Sequence, residues 1–471
     1  HPFTDTPTTE IYTQVNSSAA SDVYKRQTNA FVQHSVCGPS RVSQMTGWYP
    51  HTAGHRTLTN LLKPYHPNLL RLLKDAGYHV AFVGTRGDVF APGVTEASTD
   101  FCGNLVEPDR DAIARQYTSD VPEGSPAWWA FSFGSAGPGP VLDGDEAKIR
   151  TAERWLAEAA PSDRPWFLWV PLMFPHPPFT VEEPFYSMHD RADMPPPIPA
   201  SSTGLGAGKP GFMDAYREIY GWGEVADDEL REIQATYYGM VSRTDDQLRR
   251  LVEAVERVGQ AERTGWIYGT DHGEYLGDYG LVEKWPSGLD PQLTANPLIV
   301  SIPGGAEGAT CEALVEMVDL LPTCLELAGT EAAHTHFGRS LVPLLHDADR
   351  PHRDAAFCEG GFRTGDVDLL ETAAWIYEPK GRLQHERPEL VGKATCIRTA
   401  DWTYVHRLYE ADELYDRTVD PYETTNLAGR PEHEDIETEL RILLLDWVVE
   451  TSDVIPWEAD PRFPELQHGY R

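Results

Sequence analysis

Residues 166–172 read Trp-Phe-Leu-Trp-Val-Pro-Leu, a nearly continuous apolar run. A run of this length suits a strand buried on both faces, and such strands lie inside sheets flanked by helices. The flanking sequence repeats the theme. Helical apolar spacing over 67–76 closes at Gly77, and a strand is expected over 78–83. A helix over 145–160 ends before Pro161, and a long amphipathic stretch over 227–258 breaks at Gly259. Short strands follow over 266–268 and 298–302, the second ended by Pro303-Gly304-Gly305, and 317–327 reads as helix. Strands alternating with helices predict an α/β fold whose mostly parallel sheet is covered on both faces. The chain has 471 residues, too many for one small core, so a large domain with a smaller companion is expected. The Pro195-Pro196-Pro197 run and the glycines between 204 and 211 mark a loop or insertion.

Charge narrows the function. Lys and Arg number 39 against 73 Asp and Glu, a formal net charge of −34. That argues against nucleic acid held on a broad basic face. It leaves room for an anionic substrate, because a few cations in a pocket outweigh a distant acidic surface. The six cysteines (Cys37, Cys102, Cys311, Cys324, Cys358 and Cys396) are scattered, without a Cys-x-x-Cys pair, a disulfide framework or zinc spacing. No apolar run is long enough to span a bilayer, and the first residues lack a signal-peptide pattern. The compartment, whether cytoplasmic, periplasmic or secreted, stays open.

Polar motifs fall where an open α/β sheet gathers its ligands, at the carboxyl ends of strands. The apolar run at 166–172 leads into Phe174-Pro175-His176-Pro177-Pro178, whose prolines present His176 on a stiff turn. The strand at 266–268 runs into Gly269-Thr270-Asp271-His272-Gly273-Glu274. A carboxylate beside another polar ligand at a strand end suits a divalent cation with open positions. Lys284 follows Tyr275-Leu276-Gly277-Asp278-Tyr279-Gly280-Leu281. Near the start stands Cys37-Gly38-Pro39-Ser40-Arg41, then Thr46-Gly47. Read alone, Cys37 is a small buried apolar residue or a phosphatase nucleophile. The phosphatase loop needs Arg six positions on, where this chain has Ser43.

Together these segments resemble the type I sulfatases of the alkaline phosphatase superfamily. The likeness begins at Thr28-Asn29-Ala30-Phe31-Val32 and runs in order to the end. It includes Asp319-Leu320-Leu321-Pro322-Thr323, Gly338-Arg339-Ser340-Leu341, Asp412-Glu413-Leu414-Tyr415-Asp416 and Asp420-Pro421-Tyr422. The resemblance implies an alkaline-phosphatase-like α/β domain over 28–345 and a C-terminal subdomain over 346–471. In that subdomain an antiparallel sheet, with a strand over 402–408, packs on a helix over 437–451. It implies that a formylglycine-generating maturation enzyme oxidises Cys37 to formylglycine, whose hydrated form is a metal-activated nucleophile. It further implies that Asp271, His272 and the residue-37 product hold a divalent metal, by resemblance Ca2+. Arg41 would hold the formylglycine, and His176 and Lys284 the substrate oxygen and leaving group. His51, in Tyr49-Pro50-His51, is a weaker pocket candidate.

Two departures stand out. The family carries an apolar N-terminal strand ending in a metal-binding Asp-Asp pair, whereas residues 1–27 are polar and offer only Asp5 and Asp22. This segment reads as a replaced or truncated start, with a gap or poor stand-in expected in the sheet. The family's Gly-Lys-x-His is here Gly84-Thr85-Arg86-Gly87, followed by Asp88. Arg86 is no simple substitute for an ammonium. The expected function is hydrolysis of a sulfate ester on a small molecule or carbohydrate. The alternatives are a phosphonate or phosphate monoesterase of the same superfamily, and a catalytically impaired sulfatase-like binding protein.

Overall fold

The computed structural model describes residues 25–84, 88–159, 163–200, 208–306 and 308–454. Asp5, Asp22 and Arg86 lie outside the described residues. Among the described residues the expected alternation is realised as two larger sheets and two parallel strand pairs, Ala30–Phe31 with Val315–Glu316 and Ser132–Ser135 with Phe179–Val181. Strand His79–Val83 pairs in parallel with Phe101–Gly103 on one side and Trp166–Trp169 on the other. A second sheet runs in the order Thr310–Cys311, Lys25–Gln27, Leu298–Ser301, Trp266–Gly269. It is mixed, with one parallel pair at Lys25–Gln27 and Thr310–Cys311 and antiparallel pairs elsewhere.

The long helix Asp227–Arg257 covers both sheets. Its acidic first turn, Asp227, Asp228 and Glu229, complements the positive end of the helix dipole. Its apolar face packs Ala254 and Val255 against Trp155, Trp166, Leu168 and Trp266. Helix Gly144–Ala159 lies beside it, tied by Arg250 to Glu146 at 2.8 Å and to Glu153 at 3.0 Å. Strand Trp166–Trp169 is only half-buried, although its sequence suits burial on both faces. The reason is a cavity of about 970 Å³ lined by this strand, by Trp266–Gly269, and by Leu251, Val255, Leu320 and Cys324. Among the described residues the two sheets meet across that cavity without pairing.

The C-terminal sheet is an antiparallel meander of Ala356–Gly360, Ala394–Arg398, Trp402–Arg407 and Glu413–Asp416. One face packs Ile397, Tyr404 and Leu414 on Leu440, Leu444 and Trp447 of helix Glu434–Thr451. The same cluster takes in Tyr49, just beyond helix Cys37–Thr46. Trp447 stacks on Phe357 at 4.7 Å between ring centroids and meets Tyr49 edge-on at 4.9 Å. His51 is used in the same joint: its Nδ1 lies 2.6 Å from Glu359 Oε1 and its Nε2 2.9 Å from Thr451 Oγ1. From the other side, Arg407 donates to the Ser287 carbonyl, and Arg398 donates to that of Leu289. The small sheet therefore grips both the segment after Cys37 and the segment after Lys284. Replacing Trp447 by Ala should cost about 3–5 kcal/mol of stability through the cavity it leaves. Denaturant unfolding followed by C-terminal fluorescence checks this.

Candidate active site

Cys37 opens the ten-residue helix Cys37–Thr46 and is buried. The helix closes at Gly47, whose φ of +68° and contact with His336 leave no room for a Cβ. Arg41 sits one turn after Cys37. Its Nε donates to Asp271 Oδ2 at 2.6 Å and its Nη1 to Asp88 Oδ1 at 3.1 Å. Burial works against the guanidinium charge, but the two carboxylates overcome it and hold the pKa above the ordinary value.

Asp271 and His272 follow strand Trp266–Gly269. Their turn is pinned by Thr270 N donating to Asn296 Oδ1 at 2.8 Å and Gly273 N donating to the Leu293 carbonyl at 2.8 Å. A Cβ on Gly273 would stand 1.9 Å from the Gln292 carbonyl oxygen, so only glycine lets the two segments approach. His272 Nδ1 lies 2.8 Å from the Gly273 carbonyl, which places the ring proton there. Its Nε2 is buried, has no hydrogen-bond partner, and lies 3.9 Å from Asp271 Oδ1. Burial pushes this imidazole down to about 4, against the pull of Asp271, so it is neutral at physiological pH. A bare imidazole lone pair facing a carboxylate is an arrangement that a cation resolves. Ligand atoms of Cys37, Asp271 and His272 all lie within 4.8 Å of one another. These residues fit a divalent metal.

His176 and Lys284 meet on the other flank. Lys284 Nζ lies 2.8 Å from His176 Nε2, while His176 Nδ1 lies 2.7 Å from the Pro177 carbonyl. The lysine therefore donates to a neutral imidazole, consistent with burial and the Lys284 charge holding His176 well below its ordinary range. Lys284 also donates to Glu283, whose Oε2 accepts from Lys380 Nζ at 2.5 Å. Burial would raise the Glu283 carboxyl, but the two ammonium groups hold it far below. The His176 and His272 ring centroids are 6.1 Å apart, which joins this flank to the metal-ligand side. Burial lifts the Cys37 thiol above its ordinary value despite Lys284, so the residue is no thiolate nucleophile as it stands.

Six of the seven residues singled out from sequence thus converge: Cys37, Arg41, His176, Asp271, His272 and Lys284; the seventh, His51, is held instead by Glu359 and Thr451. Asp88, Glu283 and Lys380 were missed. Glu283 adjoins Lys284 and Asp88 follows the altered 84–87 segment, so each had a local pointer. Lys380 is nearly a hundred residues away in sequence and had none.

The sulfatase family model matches residues 12–330, more than half of the chain. The multifunctional alkaline phosphatase superfamily protein PehA of Trinickia caryophylli is 28% identical over 455 residues, covering 88% of this chain and 86% of that protein. An uncharacterised sulfatase of Escherichia coli, YidJ, is 26% identical over 487 residues, covering 97% and 89%. The crystal structure of the phosphonate monoester hydrolase of Agrobacterium radiobacter superposes with a TM-score of 0.74 at 22% identity, covering 93% and 90%. With this match across both sheets and the converged site, the chain belongs to the sulfatase family, on the alkaline phosphatase superfamily fold.

Proposed function

We propose that the chain is a sulfuric ester hydrolase that works through formylglycine derived from Cys37 and a divalent metal. The observation that carries this reading is the orphaned Nε2 of His272, set beside Asp271 and Cys37. Asp271, His272 and residue 37 would hold the metal, Ca2+ by resemblance, which supplies Lewis-acid activation where the ester is attacked. Formylglycine at position 37, installed by a maturation enzyme, supplies the nucleophile. Arg41 orients residue 37 from one helical turn away and fixes Asp271 through its Nε. Lys284 brings an ammonium to the sulfate and leaving oxygen, where charge builds in the transition state. His176 holds Lys284 in place through Nε2 and so aims the ammonium at the leaving group. Among the described residues three protein donors meet there, fewer than the six or more ligand atoms that calcium takes, so weak metal binding is expected of these residues alone.

A second reading, hydrolysis of phosphonate or phosphate monoesters by the same residues, has the description of the 28%-identical relative as multifunctional in its favour. Both ester types present a tetrahedral anionic centre to the same cations. The ratio of kcat/KM for an aryl sulfate to that for an aryl phosphonate separates the two.

Coexpression with a formylglycine-generating enzyme should yield an aldehyde at residue 37, seen by peptide mass spectrometry. A fully active enzyme that keeps an unmodified thiol would overturn the mechanism. Lys284→Ala and His176→Ala should each lower turnover by about 10²-fold, the scale for losing one transition-state contact. Full activity in both variants would remove them from the site. Asp271→Asn should weaken metal binding at least about tenfold by calorimetry. Unchanged affinity would place the metal elsewhere.

A further inference from the structure

Lys380 belongs to helix Glu378–Glu386, far in sequence from the strand ends that carry the site, yet its side chain reaches the substrate lysine. Lys380 Nζ donates to Glu283 Oε2 at 2.5 Å and to the Lys284 carbonyl at 2.6 Å. The other Glu283 oxygen accepts from Lys284 Nζ. Two ammonium groups thus share one carboxylate, and all three side chains are buried. Glu283 sits at φ +66°, a conformation a non-glycine residue adopts only when its surroundings enforce it. Its backbone N–H donates to Glu274 and the Tyr216 hydroxyl lies 3.3 Å from its Oε2, so carboxylate and backbone are both held. The same segment reaches the His176 turn, where Tyr377 Oη donates to the Pro177 carbonyl at 3.4 Å.

We propose, resting on the reading of Lys284 as the group that meets the anionic ester, that Lys380 is a positioning residue that keeps Lys284 electrostatically available. With Lys284 and Glu283 alone, ammonium and carboxylate cancel, and an incoming anion meets a neutral ion pair. Lys380 takes one oxygen of Glu283 and neutralises it, so these three side chains together carry one net positive charge. Burial lowers the Lys380 ammonium against the pull of Glu283, and it lifts the adjoining Glu274 carboxyl to about 7. The remaining oxygen aims the Lys284 ammonium, and the bond to the Lys284 carbonyl fixes the backbone behind it. In a buried site with low effective dielectric, one unit of charge at this range changes anion affinity by an order of magnitude or more. A tetrahedral oxyanion, as the ester group or as the product ion, is the ligand this charge serves.

The test is a charge cycle read by competitive inhibition and by direct calorimetry with inorganic sulfate and with phenylphosphonate. Measurements are made at mildly acidic pH, where the Glu274 carboxyl, lifted by burial to about 7, is protonated and adds no charge to the cluster. Lys380→Met and Lys380→Gln should each raise the dissociation constant for both anions at least about tenfold. The Gln variant can keep a hydrogen bond to the Lys284 carbonyl, so it guards against a Met variant that fails to fold. Lys380→Arg should stay closer to the unaltered chain than either. The decisive variant is Glu283→Gln combined with Lys380→Gln: removing both charges restores one net positive charge, and anion affinity should recover above that of Lys380→Gln alone. A purely structural role predicts the reverse, with the double variant weaker still, and that result overturns the proposal, as does unchanged affinity in the single variants. If the unaltered chain binds neither anion, the reading of Lys284 itself falls, a different outcome from failure of Lys380 alone.

Discussion

The bond from Arg41 Nε to Asp271 Oδ2 is the constraint on which the site's geometry hangs. It joins the second turn of helix Cys37–Thr46 to the end of strand Trp266–Gly269, through residues 230 apart in sequence. A longer bond from Gln44 Nε2 to the Thr270 carbonyl, at 3.5 Å, supports the same joint. A guanidinium suits the task because its rigid fork fixes direction as well as distance, and the same fork takes Asp88 on its other side. Two carboxylates on one buried guanidinium leave this flank with one net negative charge, a sign that favours a cation there.

The signs of the buried charges are then set by their neighbours. His272 and His176 are both neutral, each with Nδ1 beside a carbonyl and Nε2 aimed inward. Their Nε2 atoms meet different fates. That of His176 accepts from an ammonium, and that of His272 faces a carboxylate with no proton between them. One ring is therefore satisfied by the protein itself and the other is left for a cation. The same residue type serves both flanks because the hydrogen bond at one nitrogen decides what the other can do.

Much of this was legible in the sequence. Helices at 69–75, 144–159, 227–257 and 434–451, and strands at 79–83, 266–269 and 402–407, fall within a few residues of their expected places. Strong apolar periodicity marks them, and glycine or proline punctuates several of their ends. The polar residues at strand ends were legible because a carboxyl end in such a sheet is where ligands collect. What the sequence could not carry is pairing across distance. Half-burial of Trp166–Trp169 depends on what borders it in space, and a strand cannot announce its neighbours. His51 reads like a pocket residue beside the signature, but Glu359 and Thr451 claim it, and both lie more than 300 residues on. Lys380 stands in a segment of ordinary helical composition with nothing to mark it.

The C-terminal part is accordingly more than a cap on the larger fold. Tyr49 and His51 bind it to the signature helix, Arg398 and Arg407 bind it to the segment 287–289, and the chain just before its second strand supplies Lys380. A protein with a formal charge of −34 must gather positive potential locally if it is to take an anion. It does so at Lys284 and Lys380, which share the single carboxylate of Glu283, while Arg41 is outnumbered by Asp271 and Asp88 on the metal-ligand flank. Burial alone would discharge such lysines, and full pairing would neutralise them. Sharing one carboxylate between two ammonium groups lies between these limits, and it requires that residues from both ends of the chain be folded together before the pocket has its sign.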